Sequence, residues 1–172
     1  MLDPLVAYTR GAGIDAHWAV ISGDAEFYEI TKRIHNRLHG SAGDHGALAT
    51  ISRTGFPQLS TVLYFWDPAI GIARISTRAD RAKARNVANY AHAALFVEGP
   101  DQWSFVVAEG DAALSPVSTR PGDATGLELL GLFPQPDPAA EAAFLQQQVA
   151  EQRVVIRLHV TRLYGDIIEL PQ

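Results

Sequence analysis

Cysteine is absent from the 172 residues. That excludes disulfide scaffolds, cysteine-ligated zinc, iron–sulfur clusters and thiol nucleophiles. No apolar run is long enough to span a bilayer, so no membrane partner is expected. The first residues, MLDPLVAYTRGAGID, carry an early Asp3 and Pro4 in place of a basic stretch followed by an apolar one. A secretory signal is therefore not expected, and the expected compartment is the cytoplasm. Positive charge is also short, with Lys+Arg 14 against Asp+Glu 19 and a net charge of -5. A broad basic field for nucleic acid is not expected, which leaves room only for a local basic cluster. Charged residues make up 19% and hydrophobic residues 47%, the composition of a globular chain rather than a disordered one. One hydrophobic core is sufficient at this length, so a single domain over 1–172 is expected.

Several catalytic signatures are missing as well. There is no G-x-S-x-G elbow and no P-loop, and Gly11-Ala12-Gly13 follows no convincing strand, so no dinucleotide fingerprint is present. His35 and His39 lie four apart, with His45 shortly after. No Glu stands between them as in H-E-x-x-H and no carboxylates cluster around them, so an exposed helix face accounts for them better than a metal site, and no metal is expected.

What is present is a succession of short alternating segments. Ala16 to Ser22 reads as a short strand. Asp24 to His39 reads as a helix, with Phe27, Ile30, Ile34 and Leu38 at helical spacing and Gly40 at its end. From Gly46 the period becomes two. GALATISR and FPQLSTVLYFW form a hairpin about Thr54-Gly55, Ile70 to Thr77 a third strand, HAALFVE a fourth, and Gln102 to Leu114 a longer fifth. A helix from about Asp80 to Tyr90 follows the third strand. Ser115 to Gly126 reads as loop, GLELLGLF as a short helix, Pro134, Pro136 and Pro138 as a stiff connector, and Ala139 to Gln152 as another helix. RVVIRLHV is a strand, and a further strand runs from Tyr164 to Leu170. Hairpin order with few helices implies a mainly β, antiparallel sheet or barrel with helical insertions.

The segment ISTRADRAKARNVANY carries the most chemistry. A strand ends at Ser76-Thr77 and a helix begins within a few residues, which brings hydroxyls and free backbone N–H groups together as a ready anion site. Ala84, Val87, Ala88 and Ala91 share the face expected to pack on the sheet. Lys83, Asn86 and Tyr90 share another, and Arg81 and Arg85 form a third stripe. A phosphate or polycarboxylate suits this cluster. A solvated basic helix face is the other reading of the same pattern. Trp103 and Phe105 alternate along the fifth strand, where aromatic residues serve a core more often than a planar ligand.

GALATISRTGFPQLSTVLYFW, IARISTRADRAKARNVANYAHAALFVE, WSFVVAEGDAAL and RVVIRLHVTRLYGD, in that order and spacing, resemble the flavin- and deazaflavin-binding split β-barrel superfamily typified by pyridoxamine 5'-phosphate oxidase, and in particular its F-420-dependent branch. The resemblance implies an antiparallel split β-barrel with peripheral helices. Its parts would be an N-terminal extension (1–40), a cofactor-binding core (46–114), a helical insertion (115–152) able to shape the substrate pocket or dimer surface, and closing strands (153–170). It implies a homodimer with cofactor at the subunit interface. It also implies redox chemistry on coenzyme F-420, or alternatively FMN, with hydride transfer to a small organic substrate. Ser60, Thr61 and Val62 match the strand laid against the ring. Ile75, Ser76 and Thr77 match the second cofactor-lining segment, and Arg81, Lys83 and Asn86 the phosphate-binding helix start. No side chain is assigned as acid or base, because the cofactor would carry the hydride. A non-catalytic carrier or sensor needs the same anchor, and a cofactor-free interaction module is a third reading. The oxidase itself has an Arg where this chain has Ser60 or Thr61, and a C-terminal Trp and Arg segment not found here, so pyridoxine phosphate is not the expected substrate.

Overall fold

Alternation of apolar and polar residues with period two, interrupted by turn residues, builds six strands that close on themselves. The computed structural model describes residues 44–67, 69–98 and 104–167. The readings at Ala16 to Ser22, Asp24 to His39, Gly99-Pro100 and Trp103, with His35 and His39, lie outside these residues. The strands are β1 (Asp44–Ile51), β2 (Pro57–Asp67), β3 (Ile72–Arg78), β4 (His92–Glu98), β5 (Ser104–Leu114) and β6 (Arg153–Ile167). They form a closed antiparallel barrel in the order β1-β2-β3-β6-β5-β4. Among the described residues three helices are added: α1 (Ala82–Asn89), α2 (Ala124–Leu132) and α3 (Pro138–Ala150). Among the described residues no helix is long and apolar enough to cross a membrane.

The interior follows from the period. Leu48 of β1, Val62 and Tyr64 of β2, Ala73 and Ile75 of β3, Leu95 and Val97 of β4, Val106 and Ala108 of β5, and Ile156 and Leu158 of β6 form one buried cluster. The β1–β2 turn is read correctly at Thr54-Gly55: Gly55 has φ 85°, a conformation that costs a side chain little only when there is none.

β6 differs from expectation. Two strands were expected between Arg153 and Leu170, but Arg153 to Ile167 is one strand of 15 residues. Gly110 pairs with Val160 and Glu109 with Arg162, so Thr161 is an extra residue that shifts the inward set from Val160 to Leu163. Gly110 sits against this bulge, where an added Cβ would lie 1.9 Å from the carbonyl oxygen of His159.

α1 touches β5, β1 and β6, and since β1 and β6 are not neighbours in the barrel it lies across one end. Ala84 and Val87 are buried as expected, but Ala88 and Ala91 are exposed. The helix begins at Ala82 and stops at Asn89, too short to carry the stripe to Ala91. The face assigned to Lys83, Asn86 and Tyr90 is divided too: Lys83 is half-buried, Asn86 buried and Tyr90 exposed.

The insertion forms α2 and α3 outside the barrel, against β6. Pro138 opens α3 instead of belonging to the connector, in keeping with proline at a first helical position, and Asp137 caps it by accepting from the Ala140 N–H. Asp123 caps α2. Its carboxylate accepts from the N–H groups of Gly126 (2.8 Å), Thr119 (2.8 Å) and Arg120 (3.2 Å) and from the Ser118 hydroxyl (3.1 Å). Glu128 of α2 reaches the barrel wall between Arg74 and Arg157, which are directly paired across β3 and β6. Arg157 donates to both Glu128 oxygens, Arg74 Nε lies 3.3 Å from Oε1, and Arg74 also bonds Asp67 at 3.1 Å. This contact with Glu128 raises the Arg157 pKa above the usual value.

Two stability effects follow. Replacing Glu128 by Ala leaves two guanidinium groups facing each other and costs about 2 kcal/mol, more than Arg157→Ala, as read by urea denaturation. Burial opposes ionisation of Asp123, but the bonds from Gly126, Thr119, Arg120 and Ser118 outweigh it and hold the carboxyl below its ordinary value. Its stabilisation is complete above the unfolded-state value of about 4 and is lost as pH falls through the lower folded value. Asp123→Asn is therefore expected to be less stable at pH 7 by about 1 kcal/mol. It is also expected to lose less stability than the wild type between pH 7 and pH 3, as denaturation at a series of pH values measures.

Candidate functional site

The chain passes from β3 to α1 in three residues, and this junction gathers the cations. The Ala79 N–H bonds the Gln152 carbonyl at 3.0 Å, fixing the turn to the start of β6. Arg78 pairs with Asp80 at 2.6 Å. Arg81 is the N-cap residue, extended, and its side chain makes no capping bond. The first N–H groups of α1, those of Ala82 and Lys83, are left without intrahelical acceptors. Helix N-termini carry partial positive charge, so this end favours an anion.

The cations at the junction are not equivalent. Arg85 donates to the Asp80 carbonyl, and Arg153 pairs with Glu151 at 2.7 Å. Among the described residues neither Arg81 nor Lys83 makes an ion pair. Burial, and then the nearby Arg81 charge, lower the Lys83 pKa below the ordinary lysine value. A half-buried ammonium next to a guanidinium, beside an uncapped helix start, is an electrostatically unfinished arrangement that an anion completes.

Two hollows lie on the outer wall, one beside Ser76 and one beside Thr61. One of about 260 Å³ is lined by Leu63 and Ser76, by Phe133, Phe144, Gln147 and Gln148 of the insertion, and by Arg153. The Arg153 guanidinium donates to the Ser76 hydroxyl at 3.3 Å. Phe133 meets Phe65 edge-on at 4.9 Å and Phe144 at 6.2 Å, which gives the hollow an aromatic wall. A second, of about 280 Å³, is lined by His45, Gly46, Ala47, Thr61, Phe96 and Glu98. A third, of about 430 Å³, lies among β1, β4, β5 and Thr161 of β6 and contains none of the residues singled out from sequence. Among the described residues no group of three or more His, Asp or Glu could hold a metal ion.

A conserved hypothetical protein of Mycobacterium tuberculosis superposes on this fold with TM-score 0.58 at 22% identity, covering 84% of this chain and 88% of that one. A putative pyridoxamine 5'-phosphate oxidase of Listeria innocua gives TM-score 0.54 at 14% identity, covering 78% of this chain and 95% of that one. The chain has the split-barrel fold of the pyridoxamine 5'-phosphate oxidase-like proteins. A pyridoxamine 5'-phosphate oxidase-related, FMN-binding protein of Nostoc punctiforme has the same fold, with TM-score 0.52, 15% identity, and coverage of 80% and 81%.

The N-terminal segment has a different likeness. Residues 1–57 match the model of the trehalose synthase N-terminal domain. Over 41 residues, 24% of this chain, identity is 49% to the trehalose synthase of Thermococcus litoralis and 42% to that of Rubrobacter xylanophilus. The chain spans 10% of the length of these relatives. The match meets the split barrel only at residues 44–57, and all nine residues singled out as cofactor-lining lie beyond it.

Within the split barrel those nine do not share one cavity. Val62, Ile75 and Thr77 point inward and are buried. Ser60 is half-buried and accepts from the Gln58 amide at 2.8 Å. Thr61 and Ser76 face outward, into different hollows. Arg81 and Lys83 stand at the start of α1, whereas the Asn86 amide donates to Thr50 Oγ1 at 3.0 Å inside the barrel. Sequence reasoning missed Arg153, Phe133, Phe144 and Gln148. The insertion was recognised as able to shape a pocket, but nothing in its sequence shows which of its residues turn toward Ser76.

The lowered Lys83 pKa has a measurable sign. Because the folded value lies below the unfolded one, the unfolded state binds more protons in the interval between them, and this group's contribution to stability rises with pH through that interval. Affinity for inorganic pyrophosphate at this end is expected to fall as pH rises toward the lowered value, starting below the ordinary lysine range. Binding there is expected to be accompanied by proton uptake. Calorimetric titration in buffers of different ionisation enthalpy measures both.

Proposed function

We propose that the chain is an oxidoreductase that holds coenzyme F-420, or alternatively FMN, through its phosphate-bearing tail at the start of α1, and acts on a small organic molecule. The observation that carries this is the pair Arg81 and Lys83, cations without ion-pair partners among the described residues, beside an uncapped helix start directly after β3. Two cations and the first backbone N–H groups of α1 stand together where the sequence resemblance expects a phosphate, which supports this reading. The FMN-binding protein of Nostoc punctiforme, which has the same fold, supports a flavin-type cofactor. Such a cofactor, when bound, supplies the hydride chemistry. The chain's own residues orient it, neutralise its tail and exclude water. Ser76 offers a hydroxyl toward the hollow walled by Phe133 and Phe144, a place for a planar organic substrate.

The same proposal includes a homodimer. Leu59 (68% exposed) and Phe96 (37% exposed) leave apolar surface on the outer wall around Thr61, a surface suited to a second copy.

Fluorescence titration of the pure protein with FMN and with oxidised F-420 tests the reading. Lys83→Ala is expected to weaken the tail-bearing cofactor about tenfold to a hundredfold, the effect of one charge-assisted hydrogen bond. Stability should move by no more than about 0.5 kcal/mol. Arg85→Ala, already bonded to the Asp80 carbonyl, is expected to cost less. Wild-type affinity in Lys83→Ala would overturn the assignment of the tail to this site. Tight binding with no oxidation of the reduced cofactor across a broad acceptor panel would identify a carrier in place of an enzyme.

A further inference from the structure

We propose that Asn86 is a positioning residue, one that indexes the Arg81 and Lys83 cations to β2 through Thr50 and Gln58 and does not itself touch the cofactor. The inference rests on the reading of α1 as the helix that holds the cofactor's anionic tail.

Asn86 is 7% exposed and Thr50 1%. The Asn86 amide donates to Thr50 Oγ1 at 3.0 Å and, more weakly, toward Gln58 Oε1 at 3.5 Å. The Thr50 hydroxyl donates in turn to Gln58, 3.3 Å from Oε1 and 3.4 Å from its carbonyl. The Gln58 amide then donates to Ser60 Oγ at 2.8 Å and to the Leu59 carbonyl at 2.6 Å. Every donor therefore runs one way, from α1 into β2, and the chain ends on a residue singled out as cofactor-lining. Buried networks satisfied in this manner fix one arrangement, because any other leaves polar groups unpaired.

The anchor at the far end is rigid. Thr50 is paired with Gln58 across the β1–β2 ladder and with Ala93 across the β1–β4 ladder. Ala84 and Val87 hold α1 by apolar contact, which is non-directional and does not by itself set the helix's rotation about its axis. Asn86 supplies the directional contact. It lies three residues after Lys83 in a helix of 8 residues, so holding it fixes where the first turn presents its cations.

Thr50→Val tests this, since it keeps the shape and removes the acceptor at a position outside the residues assigned to the cofactor. FMN and riboflavin are the probes, sharing one ring system and differing in the phosphate. Thr50→Val is expected to weaken FMN about threefold to tenfold and leave riboflavin unchanged. Thr50→Ser restores FMN affinity. Asn86→Ala shows the same loss as Thr50→Val, and the double variant adds nothing further, the mark of two residues acting as one unit. Amide hydrogen exchange in α1 quickens in Thr50→Val while that of β2 and β3 holds.

If Asn86→Ala loses FMN while Thr50→Val binds as wild type does, Asn86 is a direct contact and the proposal falls. Equal losses for FMN and riboflavin reduce it to general support of the fold, which also overturns it. If wild-type protein holds FMN no better than riboflavin and F-420 no better than its phosphate-free deazaflavin core, the anion reading of α1 fails, and this inference with it. That outcome is recognised in the wild type alone, before any variant is compared.

Discussion

Everything outside the barrel depends on the closure made by β6. This one strand pairs with β3 from Arg153 to His159 and with β5 from Ile156 to Ile167, so the sheet has no free edge between them. Its inward residues complete the core. Its outward residues, Arg153 and Arg157, reach the insertion helices and the hollow beside Ser76. The bulge at Thr161 allows a single strand to do both, because it bends the strand and resets which side chains face in.

Closure creates an electrostatic problem that the insertion resolves. Placing Arg74 opposite Arg157 across β3 and β6 is unfavourable by itself. Glu128 lies between the two, and the repulsion becomes the attachment of α2. The insertion is thus tied to the seam of the barrel by charge and to β2 by the Phe65–Phe133 contact. An aromatic-walled hollow at that position follows from these two fixings.

Much of the fold was legible because strands announce themselves by period two, and β1 to β5 fall where alternation and turn residues put them. β6 was read as two strands for a physical reason: the extra residue at Thr161 shifts the inward set from Val160 to Leu163 and looks like a boundary. The alternation of Ser60, Thr61 and Val62 shows that their side chains face different ways, but not which hollow the outward one reaches. The cation cluster was legible from helical spacing. The place of Asn86 was not, since its partner Thr50 is 36 residues away and only the closed barrel brings them together. Likewise Arg153 meets Ser76 across 77 residues.

The order of the strands also has a kinetic meaning. β1 with β2, β2 with β3, and β4 with β5 are sequence neighbours and can pair early, whereas the β3–β6 ladder closes a long loop and bears its entropy cost. Until β6 arrives, β3 has an open edge, the kind of template on which chains aggregate. That edge carries Arg74 and Arg78, and the strand that will cover it carries Arg153 and Arg157, in register with them. The same arginines that Glu128, Asp80 and Glu151 bind in the closed barrel give that edge positive charge, a feature that disfavours edge-to-edge pairing of chains.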